Sequence, residues 1–144
     1  MAFRIAPQQA VATFPKRKPQ KNGNYLSFLH SLPCVVSGAR EVQAAHLSYA
    51  SLRHGHFGRG KGSKAPDRWA LPLSAAEHTR QHSMNEEDYW RSVGINPHVL
   101  ALTIFGLWSD MGDDAEPFAT AIINQTRIEA RQRALNAREN GHDG

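Results

Sequence analysis

VQAAHL (42–47) and, beyond a long loop, RWALPLSAAEHTRQH (68–82) decide how this chain folds. The first sets His46 in a run of small and apolar residues that reads as a short strand over 41–47. The second begins as another short strand over 69–73 and turns helical at Ser74. Ser74 suits the N-cap, and Glu77, three residues on, stands in the capping-box position. On that helix His78 and His82 are four apart, a spacing that puts both imidazoles on one face. Between the two stretches lies YASLRHGHFGRGKGSKAP (49–66), a loop with four glycines and the cations Arg53, Arg59, Lys61 and Lys64. Glycines let a backbone come close to a ligand, and the cations favour phosphates.

Outward from this unit the chain reads as helices. YLSFLHSL (25–32) carries a helical apolar stripe that Pro33 ends, and an extended segment with a turn follows over 34–38. Asn85 caps a helix whose first turn, Glu86, Glu87 and Asp88, suits the positive end of the dipole, and Gly94 closes it. Asn96 and Pro97 start another, with Leu100, Ile104, Leu107 and Trp108 expected in the core. After an acidic turn (110–117) a last helix runs over 117–138, with Phe118, Ala121, Ile122, Ile128 and Leu135 as its apolar face and Arg127, Arg131 and Arg133 outside it. The end, ENGHDG, is expected to fray.

The 144 residues suit one domain with a modest core. The reading is a basic flexible arm over 1–24, a core over 25–112, and a C-terminal helix with its tail over 113–144. No apolar run approaches a membrane span, the start lacks a secretory pattern, and the single cysteine, Cys34, suits a reducing compartment, so the expectation is a cytoplasmic protein. Charge is unevenly spread. Residues 1–84 hold twelve Lys and Arg against three Asp and Glu, a balance of +9, whereas residues 85–144 balance at −5. A basic part that also contains the three spaced histidines is the footprint of a phosphate-backbone binder.

Two imidazoles on one helix face can share a cation, although an HxxxH pair alone is common among histidine-rich sequences. His46, with alanines beside it, has room for a substrate and the pKa range of a general base. Together they match what phosphodiester hydrolysis requires: a base for the attacking water, and a cation for the charge on phosphate and leaving oxygen. Arg80, between the helix histidines, and Arg53, Arg59, Lys61 and Lys64 are the candidates for gripping flanking phosphates.

The run YLSFLHSLPCVVSG, VQAAHL, GKGSKAPDRWALPLSAAEHTRQH and YWRSVGINP resembles the HNH nucleases of the Ref type, the recombination-enhancement nucleases of phages and prophages, over about residues 25–101. The resemblance implies an α+β fold in which a ββα-metal finger is embedded in a mostly helical single domain. It implies His46 as general base, His78 and His82 as metal ligands, DNA as substrate, and hydrolysis that leaves a 5′-phosphate. It also implies recombination or DNA processing, beside a recombinase or another DNA-processing protein. Two departures alter the expectation. The structural zinc knuckle of that family falls here on Cys34, Ser37, Ser74 and Glu77, three of which are poor zinc ligands, so no structural zinc is expected and Cys34 is read as a buried thiol. The residue before the base is Ala45, which leaves the catalytic ion two clear protein ligands, with Asp67 or Glu77 in support. Water and phosphate would complete the shell, a pattern that suits Mg²⁺ or Mn²⁺. Trp69, near the usual asparagine, reads as core, and Asp67 is the candidate for orienting the base.

Two rival readings stand beside the nuclease. One is a catalytically inactive DNA-binding module derived from such a finger. The other is a phage assembly protein whose basic arm handles packaged DNA.

Overall fold

A computed structural model describes residues 22–58 and 65–142. The elements run α1 (Asn22–Leu29), β1 (Val42–His46), β2 (Ala70–Ser74), α2 (Ala75–His82), α3 (Glu86–Val93), α4 (Pro97–Met111) and α5 (Glu116–His142). The fold is α+β: helices dominate, and β1 and β2 form one two-stranded antiparallel sheet. Its register sets Val42 opposite Ser74 and His46 opposite Ala70. The β-pair continues directly into α2.

Local signals account for most helix starts. Ser74 Oγ accepts the Glu77 N–H, Asn85 Oδ1 accepts the Asp88 N–H, and Asn96 Oδ1 accepts the Val99 N–H, with Pro97 opening α4. Gly94 ends α3 in the left-handed conformation at φ 75°. The capping box at α2 is only half formed, because the Glu77 carboxylate turns away to the Tyr89 hydroxyl at 2.7 Å.

The core is continuous: Tyr25, Leu29 and Leu32 from the α1 region, Ala45 of β1, Leu71 and Leu73 of β2, Tyr89 and Trp90 of α3, Ile104 of α4 and Ile123 of α5 are buried together with Trp69. All four residues of β2 before Ser74 are buried, so both faces of that strand are covered.

Several boundaries and one face differ from the sequence reading. The first helix starts earlier and stops at Leu29, and 34–38 is a turn held by the Cys34 N–H to the Ala39 carbonyl and the Gly38 N–H to the Cys34 carbonyl. Along α5 the buried residues are Ala119, Ile123 and Ala130, while Phe118, Ile128 and Leu135 are exposed. Small alanines let the helix lie close to its neighbours, and the bulky residues point outward. Arg127 belongs to the inner side as well: its guanidinium donates to the Ser37 carbonyl at 3.1 Å, and its Nε is buried without a partner. Gly38, at φ 79°, makes room for it, since a Cβ there would lie 2.5 Å from the Arg127 Cζ. The helix continues to His142 where fraying was expected. No helix among the described residues is long and apolar enough to cross a membrane. The proposed basic arm lies almost wholly outside the described residues, as do Arg59, Lys61 and Lys64.

Candidate active site

A cleft of about 480 Å³ opens where β1 meets α2 and the start of α3, lined by Ala44, His46, Ser48, Ala65, His78, Gln81, His82, Met84 and Glu86. The three histidines singled out in the sequence therefore meet on one surface. Alternation along β1 places His46 and Ala44 toward the cleft and buries Ala45 behind it. One helical turn on α2 brings His78 and His82 together, with ring centroids 4.8 Å apart.

The hydrogen bonds assign the ring nitrogens. His78 Nδ1 lies 2.7 Å from Gln43 Oε1; because that oxygen only accepts, Nδ1 carries the proton and Nε2 presents a lone pair. That Nε2 faces His82 Nε2 at 3.1 Å. Burial first, then the neighbouring His82 and His46, hold the His78 pKa below its ordinary value, which keeps the ring neutral and its lone pair available. Anchoring one imidazole nitrogen on an oxygen acceptor is the usual support of a metal-binding histidine. Nothing local in the sequence marks Gln43, which is 35 residues from His78.

His46 Nε2 donates to Asp67 Oδ1 at 2.7 Å, leaving Nδ1 as its acceptor nitrogen. Asp67 is thus a partner of His46, the contact an orienting carboxylate makes. Glu77 serves Tyr89 and Arg80 (3.3 Å) instead of the cleft, and with burial it pushes the Tyr89 phenol far above its usual range. Arg80 sits over the Tyr89 ring, 5.5 Å from its centroid, and does not line the cleft. Arg53 is exposed in the loop after β1.

Glu86, read from the sequence only as a helix-dipole residue, is a cleft residue. Its carboxylate accepts from the Ser48 N–H at 3.1 Å, the Ser48 hydroxyl and Gln81 Nε2 at 2.9 Å. It ties the strand of His46 to the helix of His78 and His82. Gln81 Oε1 is buried without a partner.

Residues 4–105 match a sequence family described as a protein of unknown function, DUF968. The chain belongs to the DUF968 family. The matched span includes every residue of the cleft and stops before α5. No curated protein and no solved structure matches this DUF968 chain.

The four knuckle positions of this DUF968 protein also come together. Cys34 is fully buried and its Sγ accepts the Ser37 N–H at 3.4 Å. Burial raises the Cys34 pKa, but hydrogen bonds from the Ser37 side chain and from the backbones of Ser37, Ser74 and Val36 outweigh it and bring it below the ordinary value. Ser74 and Glu77 join through the α2 cap. Among the described residues no group of three or more His, Cys, Asp or Glu is arranged to hold a metal ion.

Proposed function

We propose that this DUF968 chain is a metal-dependent DNA endonuclease of the HNH type, in which β1, β2 and α2 act as a ββα-metal finger, serving phage or prophage recombination or DNA processing. The observation that carries the reading is the meeting of His46, His78 and His82 on one cleft, with the two helix imidazoles 3.1 Å apart. Two nitrogen ligands at about 2.1 Å from one ion subtend a separation near this value, so the pair fits a shared cation. A divalent ion held by His78 and His82, with water and phosphate as its remaining ligands, would stabilise charge on the phosphate and on the leaving oxygen; Mg²⁺ or Mn²⁺ suits such a shell.

The chain's own residues supply the proton chemistry. His46, with its Nε2–H committed to Asp67, takes the proton of the attacking water at Nδ1, and the carboxylate compensates the imidazolium that results. Water oxygen bonds to phosphorus, the P–O3′ bond breaks, and the products are a 5′-phosphate and a 3′-hydroxyl. Gln43 fixes the His78 tautomer, and Glu86 holds the base strand against the helix.

A second reading, an inactive DNA-binding module, draws support from the knuckle positions that lack zinc ligands, Ser37, Ser74 and Glu77. A plasmid-nicking assay separates them. Nicking should require Mg²⁺ or Mn²⁺, stop in EDTA, and vanish in His46→Ala and His82→Ala. Absence of cleavage on single- and double-stranded DNA with either ion would reject the nuclease in favour of the binding module.

A further inference from the structure

The loop that leaves β1 presents an aromatic side chain that the hydrolytic reading does not use. Ser51 and His56 form a hydrogen-bonded antiparallel bridge, with N–H to carbonyl distances of 2.8 and 3.1 Å, around a tight turn over 52–55. His56 anchors the loop. Its Nε2 donates to the Leu47 carbonyl at 2.9 Å, its Nδ1 accepts the Gly58 N–H at 2.8 Å, and its ring, fully buried, packs on Trp69 at 4.7 Å between centroids. Successive residues of extended backbone point to opposite sides, so an inward His56 forces Phe57 outward. Phe57 is 82% exposed, the most exposed large apolar side chain among the described residues.

Its place is not arbitrary. Gly58, the next residue, lies against the β1 exit: a Cβ on it would be 3.9 Å from the Ser48 carbonyl and 3.7 Å from the Ala50 Cβ. Ser48 lines the cleft, so Phe57 stands at the cleft's rim. The same small loop exposes Arg53, and the balance of +9 over residues 1–84 favours a polyanion over an apolar protein surface as occupant. A rigidly held aromatic face beside cations is how proteins hold unpaired bases, because every base offers a π-face and the ring has little entropy left to lose. A base inside a duplex has both faces covered, and unstacking it costs a few kcal/mol, so the unpaired strand is the better ligand.

We propose that Phe57 is a base-stacking contact at the rim of the cleft and that it gives the protein a preference for DNA with an unpaired strand. The inference rests on DNA as the substrate and not on hydrolysis, so binding is measured in EDTA. The probes are a fluorescent single-stranded DNA oligonucleotide, the same oligonucleotide carrying successive abasic positions, and its duplex, read by anisotropy. Phe57→Ala should weaken single-strand binding about 10-fold, Phe57→Trp should restore it, and duplex binding should change less than threefold. One abasic position should remove the advantage of the wild type over Phe57→Ala, which a general effect on folding would not do. Equal single-strand affinities for wild type and Phe57→Ala, or an equal loss on duplex, would overturn the proposal. If such a protein still cuts DNA through His46, only the stacking inference falls. If Phe57 is needed for binding but no cleavage occurs with either ion, the nuclease reading falls and the stacking contact stands. A protein that binds neither DNA form overturns both.

Discussion

Gln43 shows how one side chain can set the chemistry of a neighbour. The bond from His78 Nδ1 leaves its Nε2 with a lone pair aimed at His82, whereas a free imidazole would populate both tautomers. Gln43 itself is exposed on β1 and takes no part in the core, so its removal should not cost the fold. On the metal reading, Gln43→Ala should weaken Mn²⁺ binding about 10- to 100-fold, the usual cost of losing such a support. Calorimetric titration of Mn²⁺ into both proteins checks it, with thermal melts alongside. An unchanged Mn²⁺ affinity, or a melt lowered in proportion to the lost binding, would show that Gln43 does not orient a ligand.

At the level of elements, the loop after β1 and the start of α4 meet in an imidazole cluster. His98 is buried, donates from Nε2 to the Tyr49 carbonyl at 3.2 Å, and packs near His54, His56 and Trp69, with centroids 5.1 to 5.9 Å away. Burial pushes its pKa down to about 4, the carbonyl of Tyr49 offsets part of this, and His56 and His54 add to the depression. The unfolded chain therefore binds a proton that the folded one refuses. Stability from His98 is complete above about pH 6.5 and is lost as pH falls from there toward 4, by up to about 3 kcal/mol. Urea melts between pH 7.5 and 4 should show that slope, and His98→Gln should flatten it while lowering stability at neutral pH. The same slope in both proteins would place the proton uptake elsewhere. The caps of α2, α3 and α4 were legible in Ser74, Asn85 and Asn96 because a cap is a contact within three residues. The 3.6-residue period likewise joined His78 to His82. The contacts of His46 with Asp67, His78 with Gln43 and Ser48 with Glu86 span 21 to 38 residues, and no local period reports them. The face of α5 was misplaced for another reason. Bulk suggested Phe118 and Ile128, but the close approach of a helix is made by its small residues, here Ala119 and Ala130.

Across the whole molecule α5 changes role along its length. Its first half closes the core through Ala119, Ile123 and Ala130, and Arg127 reaches the 34–38 turn behind the sheet. Residue 130 is the last buried one, and 131–141 are exposed throughout. Eleven residues of helix with no packed face gain little from propensity alone, because short isolated helices are marginal in water. The two halves should therefore answer differently to change. Arg127→Ala removes the bond to the Ser37 carbonyl and the packing of the guanidinium against Gly38, and should cost about 1–3 kcal/mol, the range for a lost charged hydrogen bond. Deletion of residues 135–144 should alter the unfolding free energy by less than about 0.5 kcal/mol, as is usual for surface changes. Chemical denaturation of both variants at two protein concentrations tests the division. A large loss on deletion, growing as the protein is diluted, would mean that the outer half of α5 is packed after all, against a second copy of the chain.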